Sequence, residues 1–546
     1  MKKEGVRGFL IEHAGKDPVS FHMPGHKGAG LYRRFGYEEF LKGFFDCDIT
    51  EITGADNLFQ PEGIIAETME KYSRLYDTEK SYLLVNGTSG GLIASIMASV
   101  PPGKKIILAR NCHKAVFNAL RLGRVQPVYA YPEEIEEYGI AGPVDPEEIR
   151  RLLAREPDAK AVILPSPNYY GICSDIEAIA RVVHEAGKIL IVDQAHGAHL
   201  KFFEKAGDFG GADREVAGTT SDTELPMPLS AETGGADLVV NSTHKTLGSL
   251  TQSAVLNVCR GGVFAGNAGE EGSGDDSKDI LAENLYRLED RLQAIESTSP
   301  SYILMGSLDV NADILEEHGE ELIQEWRENL TRFYREAGKI SGLKIMGIPA
   351  GETAEQKIDK DPAQAGINMD LTKINLDMSG CGLDGSALEE ELLKREIYAE
   401  LVTGNILMCM TGIGNTRKDY QRLLQALKEI AARSEVESDG GSSAGETCGS
   451  GEAGGAPVGI DPPSIPWTAR RTLAPIPMDT ELVPLGECVG RICGASIIPY
   501  PPGIPLVCPG EVIEEDDITA VRELRSRGEK VIGIDPQGRI PVGKQA

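Results

Sequence analysis

The stretch KSYLLVNGTSGGLIASIMASVPPGKKIILARNCHKAVFNALRLGRVQPVYAY (residues 80–131) decides the fold class. Its apolar runs KSYLLV, KKIILA and VQPVYAY are typical of strands, and the segments between them have the pattern of helices. Further along, AVILPSP, DIEAIARVVHEAGK and ILIVDQAHG repeat the order strand, helix, strand. This alternation predicts an α/β fold built on a parallel sheet that helices cover on both faces.

Three polar segments come at the ends of predicted strands. They are NGTSGG (86–91), VDQAHGAH (192–199) and NSTHK (241–245). In open α/β sheets, ligands bind beyond the carboxyl ends of the strands. We therefore expect the three segments to share one site.

The composition excludes several classes of function. The 546-residue chain has a net charge of −29, which argues against non-specific nucleic-acid binding and weakly favours cationic small substrates. No uncharged apolar run approaches the roughly 18 residues of a membrane-spanning helix, and the start has no signal-peptide pattern. Ten scattered cysteines without a CxxC pair suggest free thiols, so we expect a cytoplasmic protein.

Pattern and composition predict five parts of the chain. They are an N-terminal segment (1–50), a large domain (51–310), a smaller α/β domain (311–434), a flexible low-complexity linker (435–464) and a C-terminal α+β domain (465–546). Residues 320–338 are strongly helical in pattern. Residues 204–235 and 261–279 are rich in Gly, Asp, Glu and Ser and predict inserted loops.

The segment NGTSGG has the features of an anion site. It offers the hydroxyls of Thr88 and Ser89 and glycine-flanked amides, including that of Gly90, at a predicted helix N-terminus. Such amides suit a phosphate group. The alternative is an ordinary glycine turn with a helix cap.

The other two segments add a carboxylate and a lysine. Asp193 ends a buried strand, where a carboxylate must be paired or functional, and it could hold a proton on a heteroaromatic nitrogen. Ala195 is small enough to lie under a flat ring. Lys245, if partly desolvated, would be nucleophilic. The alternatives are a helix cap for Asp193 and a solvated surface turn for Lys245.

A phosphate anchor, an acid for a ring nitrogen and a nucleophilic lysine are together what pyridoxal phosphate requires. Here the chain resembles the fold-type-I pyridoxal-phosphate enzymes, and within them the ornithine/lysine/arginine decarboxylase family. The matching stretches are HMPGHKG (22–28), DNLFQPEG (56–63), NGTSGG, RNCHKA (110–115), VDQAHGAH, NSTHKTL (241–247), TSPSYILMGSLD (298–309) and YPPGIP (500–505). Few residues precede HMPGHKG, and in this respect the chain resembles the members of the family that lack an N-terminal wing domain.

The resemblance implies a pyridoxal-phosphate-binding large domain and two overlapping groups of site residues. The catalytic group is Lys245, His244, His113 and His196. The cofactor-binding group is Lys245, Asp193, Ala195, Thr88, Ser89, Gly90, Ser242, His113 and Thr298.

Each residue has an implied role. Lys245 carries the cofactor and His244 assists proton transfer. His113 stacks on the ring, and His196 lies near the ring and the substrate. A further expectation is a homodimer or larger homo-oligomer with its site at the subunit interface, where Thr298 or Ser299 reaches the partner's phosphate. In the same way, Ser242 joins the anion segment at the phosphate and Asp193 pairs with the ring nitrogen.

The implied activity is the α-decarboxylation of a basic amino acid, with arginine giving agmatine for polyamine synthesis as the first choice. Lysine and ornithine are alternatives. Glu400 and Glu511 are candidates for binding the cationic side chain, or else ordinary surface carboxylates. The family often has glutamate where this chain has Gln194, a change that we expect to be tolerated.

Three rival functions stay open at this point. An aminotransferase or lyase of the same fold would use an arginine such as Arg491 to hold the substrate carboxylate. A metal hydrolase could use Asp193, His196 and His199, with His22 and His26 added. That reading leaves Lys245 and the phosphate segment without a purpose. The third rival is a binding module without catalysis.

Overall fold

The computed structural model describes residues 5–208, 225–266, 275–347, 368–439, 470–500, 504–526, 528 and 530–544. Helices and strands alternate through the large domain, which confirms the predicted α/β class. Within these ranges, none of the helices combines the length and the apolar character that spanning a bilayer requires. No disulfide joins any two of the cysteines that the structure describes.

The N-terminal segment and the large domain follow each other in the chain. The segment contains α1 (Gly5–Ala14), β1 (Val19–Phe21), α2 (Gly30–Arg34) and α3 (Glu38–Lys42). The strands of the large domain are β2 (Lys80–Leu84), β3 (Lys105–Ala109), β4 (Gln126–Ala130), β5 (Glu134–Ile135), β6 (Ile140–Ala141), β7 (Ala161–Pro165), β8 (Ile189–Asp193), β9 (Leu238–Asn241) and β10 (Ala254–Val258). Its helices are α4 (Ile64–Tyr76), α5 (Gly87–Ser99), α6 (Lys114–Gly123), α7 (Pro146–Arg155), α8 (Ile176–Glu185), α9 (Leu200–Asp208), α10 (Thr243–Thr246), α11 (Asp275–Ile295) and α12 (Tyr302–Ala337).

Seven strands form the central sheet in the order β2, β10, β9, β8, β7, β3, β4. Strand β10 runs antiparallel to both of its neighbours, and the other strands are parallel to one another. The prediction of a parallel sheet is therefore wrong for β10 alone. All five residues of β10 are buried, so its sequence carries no alternation that could signal its direction.

Helix α5 begins at Gly87, so the predicted glycine turn is in fact the first turn of the helix. Gly87 has a φ of +68°, a region that favours glycine. A Cβ on Gly91 would lie 2.6 Å from Leu84 Cδ1. The glycines thus let the helix start directly against the sheet, with its free amides at the strand ends.

Helix α12 is longer than the sequence indicated. The predicted helix over 320–338 is confirmed, but it starts at Tyr302, and the proposed domain boundary at residue 310 lies inside it. Trp326 Nε1 donates to Thr411 Oγ1 at 2.9 Å, and Arg327 donates to the carbonyl of Phe203 at 2.9 Å. The helix is therefore bonded to the large domain on one side and to the small domain on the other.

The small domain has strands β11 (Lys344–Ile345), β12 (Lys373–Asp377), β13 (Ile397–Ala399), β14 (Leu401–Thr403) and β15 (Ile406–Met410), with helices α13 (Gly385–Leu393) and α14 (Arg417–Asp439). Its sheet has the antiparallel order β11, β12, β15, β14. Strand β1 of the N-terminal segment pairs in parallel with β13. The chain therefore starts by lying against the small domain.

The C-terminal domain contains β16 (Thr480–Pro484), β17 (Ile498–Tyr500), α15 (Glu515–Ser526), β18 (Lys530–Ile532) and β19 (Arg539–Gly543). Strand β16 pairs with β19, and β17 pairs with β18. These elements surround a core of their own, built from Leu485, Cys488, Cys493, Ile497, Leu506, Val507, Ile513, Ile518, Val521, Ile540 and Val542.

The predicted loops are partly corrected. Helix α9 continues to Asp208 and α11 begins at Asp275, so the start of the first glycine-rich region and the end of the second are helical. Helix α14 runs to Asp439, so the first residues of the predicted linker are helical as well. The rest of that linker and the centres of both loops lie outside the described residues.

Candidate active site

A cleft opens at the carboxyl ends of β3, β7 and β8 and at the start of α10. It is lined by Thr88, Asn111, His113, Pro165, Pro167, Asn168, Tyr169, Asp193, Ala195, His196 and Lys245. The strand-end segments 86–91, 192–199 and 241–245 each contribute to it, which confirms that they meet. Segment 165–169, at the end of β7 and just beyond it, was not predicted to take part.

Lys245 lies on the short helix α10, directly after β9. Its Nζ is 2.9 Å from His196 Nε2 and 5.9 Å from the centre of the Tyr169 ring. Burial lowers the pKa of Lys245, the charge of Lys373 lowers it further, and Asp193 and Glu400 oppose the shift. A lowered pKa makes the neutral, nucleophilic amine more available.

His196 is held from two sides. Its ring packs against Tyr169 with the centres 4.6 Å apart, and its carbonyl accepts a hydrogen bond from Lys373 Nζ at 2.8 Å. Burial, followed by the charge of Lys245, lowers the pKa of His196 well below its usual value. The imidazole is therefore neutral, and its Nε2 can exchange a proton with the Lys245 amine.

Asp193 is the last residue of β8 and is buried. Its Oδ1 accepts a hydrogen bond from the backbone N–H of Ala195 at 3.1 Å. Burial raises the pKa of Asp193, although the charge of Lys245 and this N–H oppose the change. A cationic or proton-bearing ligand group in the cleft would satisfy the carboxylate.

The first turn of α5 lies beside α10. Ser242 Oγ donates to Thr88 Oγ1 at 3.3 Å, so two hydroxyls stand together at the helix N-terminus. Glu296, which the sequence did not reveal, supports this turn from below. Its Oε2 accepts from the amides of Val85 and Asn86 at 3.2 and 2.9 Å, and burial raises its pKa to about 7.

The two remaining predicted histidines differ in their surroundings. His113 caps α6, where its Nδ1 accepts from the Ala115 amide at 3.2 Å, and it lines the cleft. Burial, with the Lys245 charge, lowers the pKa of His113 to about 3. His244 is bonded through Nδ1 to the Ser253 carbonyl at 2.7 Å, and burial lowers its pKa to about 4. His244 does not line the cleft.

Several predicted residues lie elsewhere. Thr298 and Ser299 are exposed and outside the cleft of their own chain. Glu511 is fully buried against Arg110, so it is neither a surface carboxylate nor a ligand for the substrate. Arg491 pairs with Glu481 in the C-terminal domain, so it does not hold a substrate carboxylate in this cleft.

The metal site considered for Asp193, His196 and His199 does not form. His199 is turned to Thr246 Oγ1 and Asp370 Oδ1, each at 3.2 Å. Across the described ranges, no group of three or more His, Cys, Asp or Glu side chains is placed to hold a metal ion.

Gln194 is the residue at which the chain differs from the expected motif, and the structure explains the difference. Its Nε2 donates to Glu232 Oε2 at 2.8 Å and to Asn241 Oδ1 at 3.0 Å. Its Oε1 accepts from the Ala231 amide. Glu232 lies in a region that was predicted to be an inserted loop, yet its carboxylate accepts hydrogen bonds from Gln194, Asn241 and Asn257 of the central sheet and its edge.

We expect Gln194→Glu to lower the free energy of unfolding by about 2 kcal/mol or more, because it places two carboxylates against each other and removes a donor. Urea denaturation measures the loss. The double variant Gln194→Glu/Glu232→Gln restores a donor opposite an acceptor between these two residues and should recover part of the stability, since Asn241 Oδ1 still lacks its donor. An unchanged midpoint for the single variant would contradict this role of Glu232.

Pyridoxal phosphate fits the donor set of the cleft. His196 Nδ1 and Asn111 Oδ1 are buried polar atoms without a hydrogen-bond partner, which a ring with polar substituents would satisfy. The α5 N-terminus suits its phosphate, Asp193 its ring nitrogen and Lys245 its aldehyde.

Comparisons with known proteins agree with this geometry. The chain is 31% identical to an arginine decarboxylase of Bacillus subtilis, over 94% of this chain and 91% of that one. It is 30% identical to an arginine decarboxylase of Halalkalibacterium halodurans, over 96% and 94%. The solved lysine decarboxylase A of Pseudomonas aeruginosa has the same fold, with a TM-score of 0.67 at 20% identity, over 98% of this chain and 80% of that one.

These matches confirm the fold-type-I architecture that the sequence predicted. The model of the Orn/Lys/Arg decarboxylase major domain matches residues 7–419, and the model of the C-terminal domain of the same family matches residues 466–531. Together they cover most of the sequence, on both sides of the low-complexity segment. The chain therefore belongs to the Orn/Lys/Arg decarboxylase family.

Proposed function

We propose that the chain is a pyridoxal-phosphate-dependent decarboxylase of a basic amino acid, with arginine as the first substrate and agmatine as the product. The observation that carries the proposal is the Lys245 Nζ, 2.9 Å from His196 Nε2, in a cleft that also holds Asp193. Relatives named arginine decarboxylase favour arginine over lysine and ornithine.

When bound, the cofactor supplies an electron sink for the electrons of the bond between Cα and the carboxylate. The residues of the chain do the rest. Lys245 would carry the cofactor, Asp193 would hold a proton at its ring nitrogen, and His113 and Ala195, which line the same cleft, would orient its ring. The amides and hydroxyls at the start of α5 bind the phosphate.

Proton transfer at Cα falls to the pair of Lys245 and His196. Because Lys245 Nζ and His196 Nε2 are in contact, a proton can pass between these two nitrogens, and either of them can hold the proton that Cα receives. The proton then replaces the departing carboxylate at Cα. His244, bonded to the Ser253 carbonyl, positions the short helix that carries Lys245.

The lining of the cleft favours decarboxylation over transamination. An aminotransferase usually holds the substrate carboxylate with an arginine, and a strong salt bridge there would oppose loss of CO2. In the part of the chain that the structure describes, none of the residues that line the cleft is an arginine. The carboxylate can therefore leave from a surface of proline, aromatic and amide groups.

Glu400 is our candidate for binding the cationic side chain of the substrate. Burial raises its pKa, and its charge interacts with Lys245, which supports a place near the cleft. Its Oε2 accepts from the Met23 amide at 2.9 Å, which fixes the carboxyl group. A guanidinium group could bind such a carboxylate through two hydrogen bonds.

We expect Glu400→Gln to raise KM for arginine about 10- to 100-fold with a smaller change in kcat, because it removes a charge-assisted contact that is present before and during the reaction. Glu396→Gln is the matched control, since Glu396 is on the same segment but is bonded to Tyr398. The KM and kcat of both variants, measured by steady-state kinetics, test this role of Glu400. A fall in kcat at constant KM would assign Glu400 to the chemical step instead.

We also propose a homodimer, with Thr298 or Ser299 of one subunit at the phosphate of the other. Both residues are exposed in the single chain. The N-terminal segment exposes large apolar side chains, among them Val6 at 77%, Ile11 at 69% and Phe45 at 96%. An apolar surface of this kind is typical of a subunit interface. Light scattering gives the molar mass.

The test of the proposed function is a spectrum and a product analysis. The purified protein is mixed with pyridoxal phosphate and offered arginine, lysine and ornithine separately. The proposal expects a yellow protein and the release of agmatine with CO2 from arginine. Release of cadaverine from lysine or of putrescine from ornithine would change the proposed substrate but not the proposed reaction. A protein that takes up no pyridoxal phosphate, or one that releases a keto acid, would overturn the proposal.

A further inference from the structure

The side chain of Arg110 runs from the edge of the cleft into the C-terminal domain. It is fully buried and donates to the carbonyls of Pro505 and Leu506 at 2.9 Å each. Its Nε also lies 2.8 Å from Glu511 Oε1, without hydrogen-bond alignment, and its NH2 donates to Glu511 Oε2 at 3.1 Å. A guanidinium group from the large domain thus fills a polar socket in the C-terminal domain.

The groups that surround the Arg110 guanidinium are hydrogen-bond acceptors, namely two carbonyls and a carboxylate, and therefore favour a cation. Glu511 has no exposed surface, and its Oε2 also accepts from the Cys508 amide at 2.9 Å. A second arginine, Arg471, enters the same region and pairs with Asp517 at 2.6 and 2.8 Å. Two arginines and two carboxylates therefore balance in a buried network. Such a network stabilises only if each member keeps its partner.

Arg110 and Arg471 differ in how close they lie to the cleft along the chain. Arg110 comes directly after β3, and its amide donates to the Ala130 carbonyl at 2.9 Å. The next residues are Asn111 and, two positions later, His113, both of which line the cleft. Arg471 lies at the start of the described C-terminal part and lines no part of the cleft.

We propose that Arg110 is a positioning residue through which the C-terminal domain fixes Asn111 and His113 in the cleft. The guanidinium group is fixed at one end by two carbonyls and a carboxylate, and the backbone is fixed at the other end by the β3 to β4 pairing. The loop of residues 110–113 is held between these points. The consequence for the cofactor rests on the proposed function, because His113 is the residue expected to face its ring.

The experiment compares Arg110→Lys with Arg471→Lys in the full-length protein. Both changes keep a positive charge beside a buried carboxylate and lose the planar fork, so both should lower the thermal midpoint. We expect Arg110→Lys alone to speed hydrogen exchange of the amides at the start of α6 and to raise the dissociation constant of pyridoxal phosphate, each by roughly five- to tenfold.

The two measurements separate this inference from the proposed function. Hydrogen exchange is measured without cofactor, so it tests the positioning role even if the protein binds no pyridoxal phosphate. Equal exchange at α6 in both variants, faster or unchanged, would overturn the inference. If Arg110→Lys does not fold, Glu511→Gln is compared with Asp517→Asn instead, with the same expectation, because both changes remove a carboxylate charge and keep an acceptor for a backbone amide, that of Cys508 or that of Glu514.

Discussion

Lys245→Arg will lower the rate of amine release by at least about 10³-fold, because the guanidinium group stays protonated and cannot bond to the cofactor aldehyde. Arginine keeps the positive charge and the approximate length of the lysine side chain, so we expect the variant to fold and to lose only the reaction with the cofactor. The kcat of the variant, measured at saturating cofactor, gives the size of the effect. A variant that retains more than a tenth of the activity would contradict the assignment.

The same assignment can be made by labelling. Borohydride reduction of the protein with pyridoxal phosphate, followed by mass spectrometry, should place the label on Lys245. Two other lysines near the site serve as internal controls. Lys373 is bonded to Asp370 at 2.8 Å, and Lys27 donates to the carbonyls of His22 and Met410. Lys245 differs because an imidazole nitrogen is its partner. A label on Lys27 or Lys373 would move the reactive amine to that residue.

Asp193→Asn is expected to lower kcat by about 10²- to 10³-fold, because the ring nitrogen of the cofactor loses the carboxylate that keeps it protonated. The amide has the same shape, so the cofactor should still bind. Activity and bound cofactor, measured on the same sample, separate the two effects. Loss of cofactor in proportion to loss of activity would instead make Asp193 a binding residue only.

Without cofactor, the same variant should be more stable than the parent protein at neutral pH. The folded-state pKa of Asp193 is raised, so ionising the buried carboxyl group at neutral pH costs stability that the amide does not lose. The difference should disappear as the pH falls towards the pKa of the unfolded chain. Thermal melts without cofactor, at neutral and acidic pH, measure it.

Asp370→Asn is a control variant for which we expect the opposite effect on stability. Burial alone would raise the pKa of Asp370, but Lys373 and His199 hold this pKa below its usual value. This carboxylate therefore stabilises the fold above the unfolded-state pKa, and the contribution is lost as the pH falls. We expect Asp370→Asn to lower the melting midpoint at neutral pH.

The sequence predicted the α/β class and the meeting of the three strand-end segments because both depend on local patterns. Apolar runs define strands, and parallel strands bring their carboxyl ends to one edge of a sheet. The direction of β10 could not be read, because its five buried residues show no alternation. The start of α5 was placed too late because glycines usually end helices, and their role here is close packing against Leu84.

The supporting residues of the site could not be predicted, because their partners are far away in the chain. Arg110 and Glu511 are 401 residues apart, and Lys373 reaches the carbonyl of His196 across 177 residues. A buried charge has no local signature that separates it from a surface charge. Glu511 shows this, since it was considered for the substrate and is in fact the partner of Arg110.

The pairing of β1 with β13 has a consequence for how the protein is made. Met23, just after β1, bonds to Glu400, which lies 377 residues later. At a synthesis rate of roughly 5–20 residues per second, the ribosome needs about 20–75 s to reach that partner. Strand β1 therefore lacks its partner strand for most of translation.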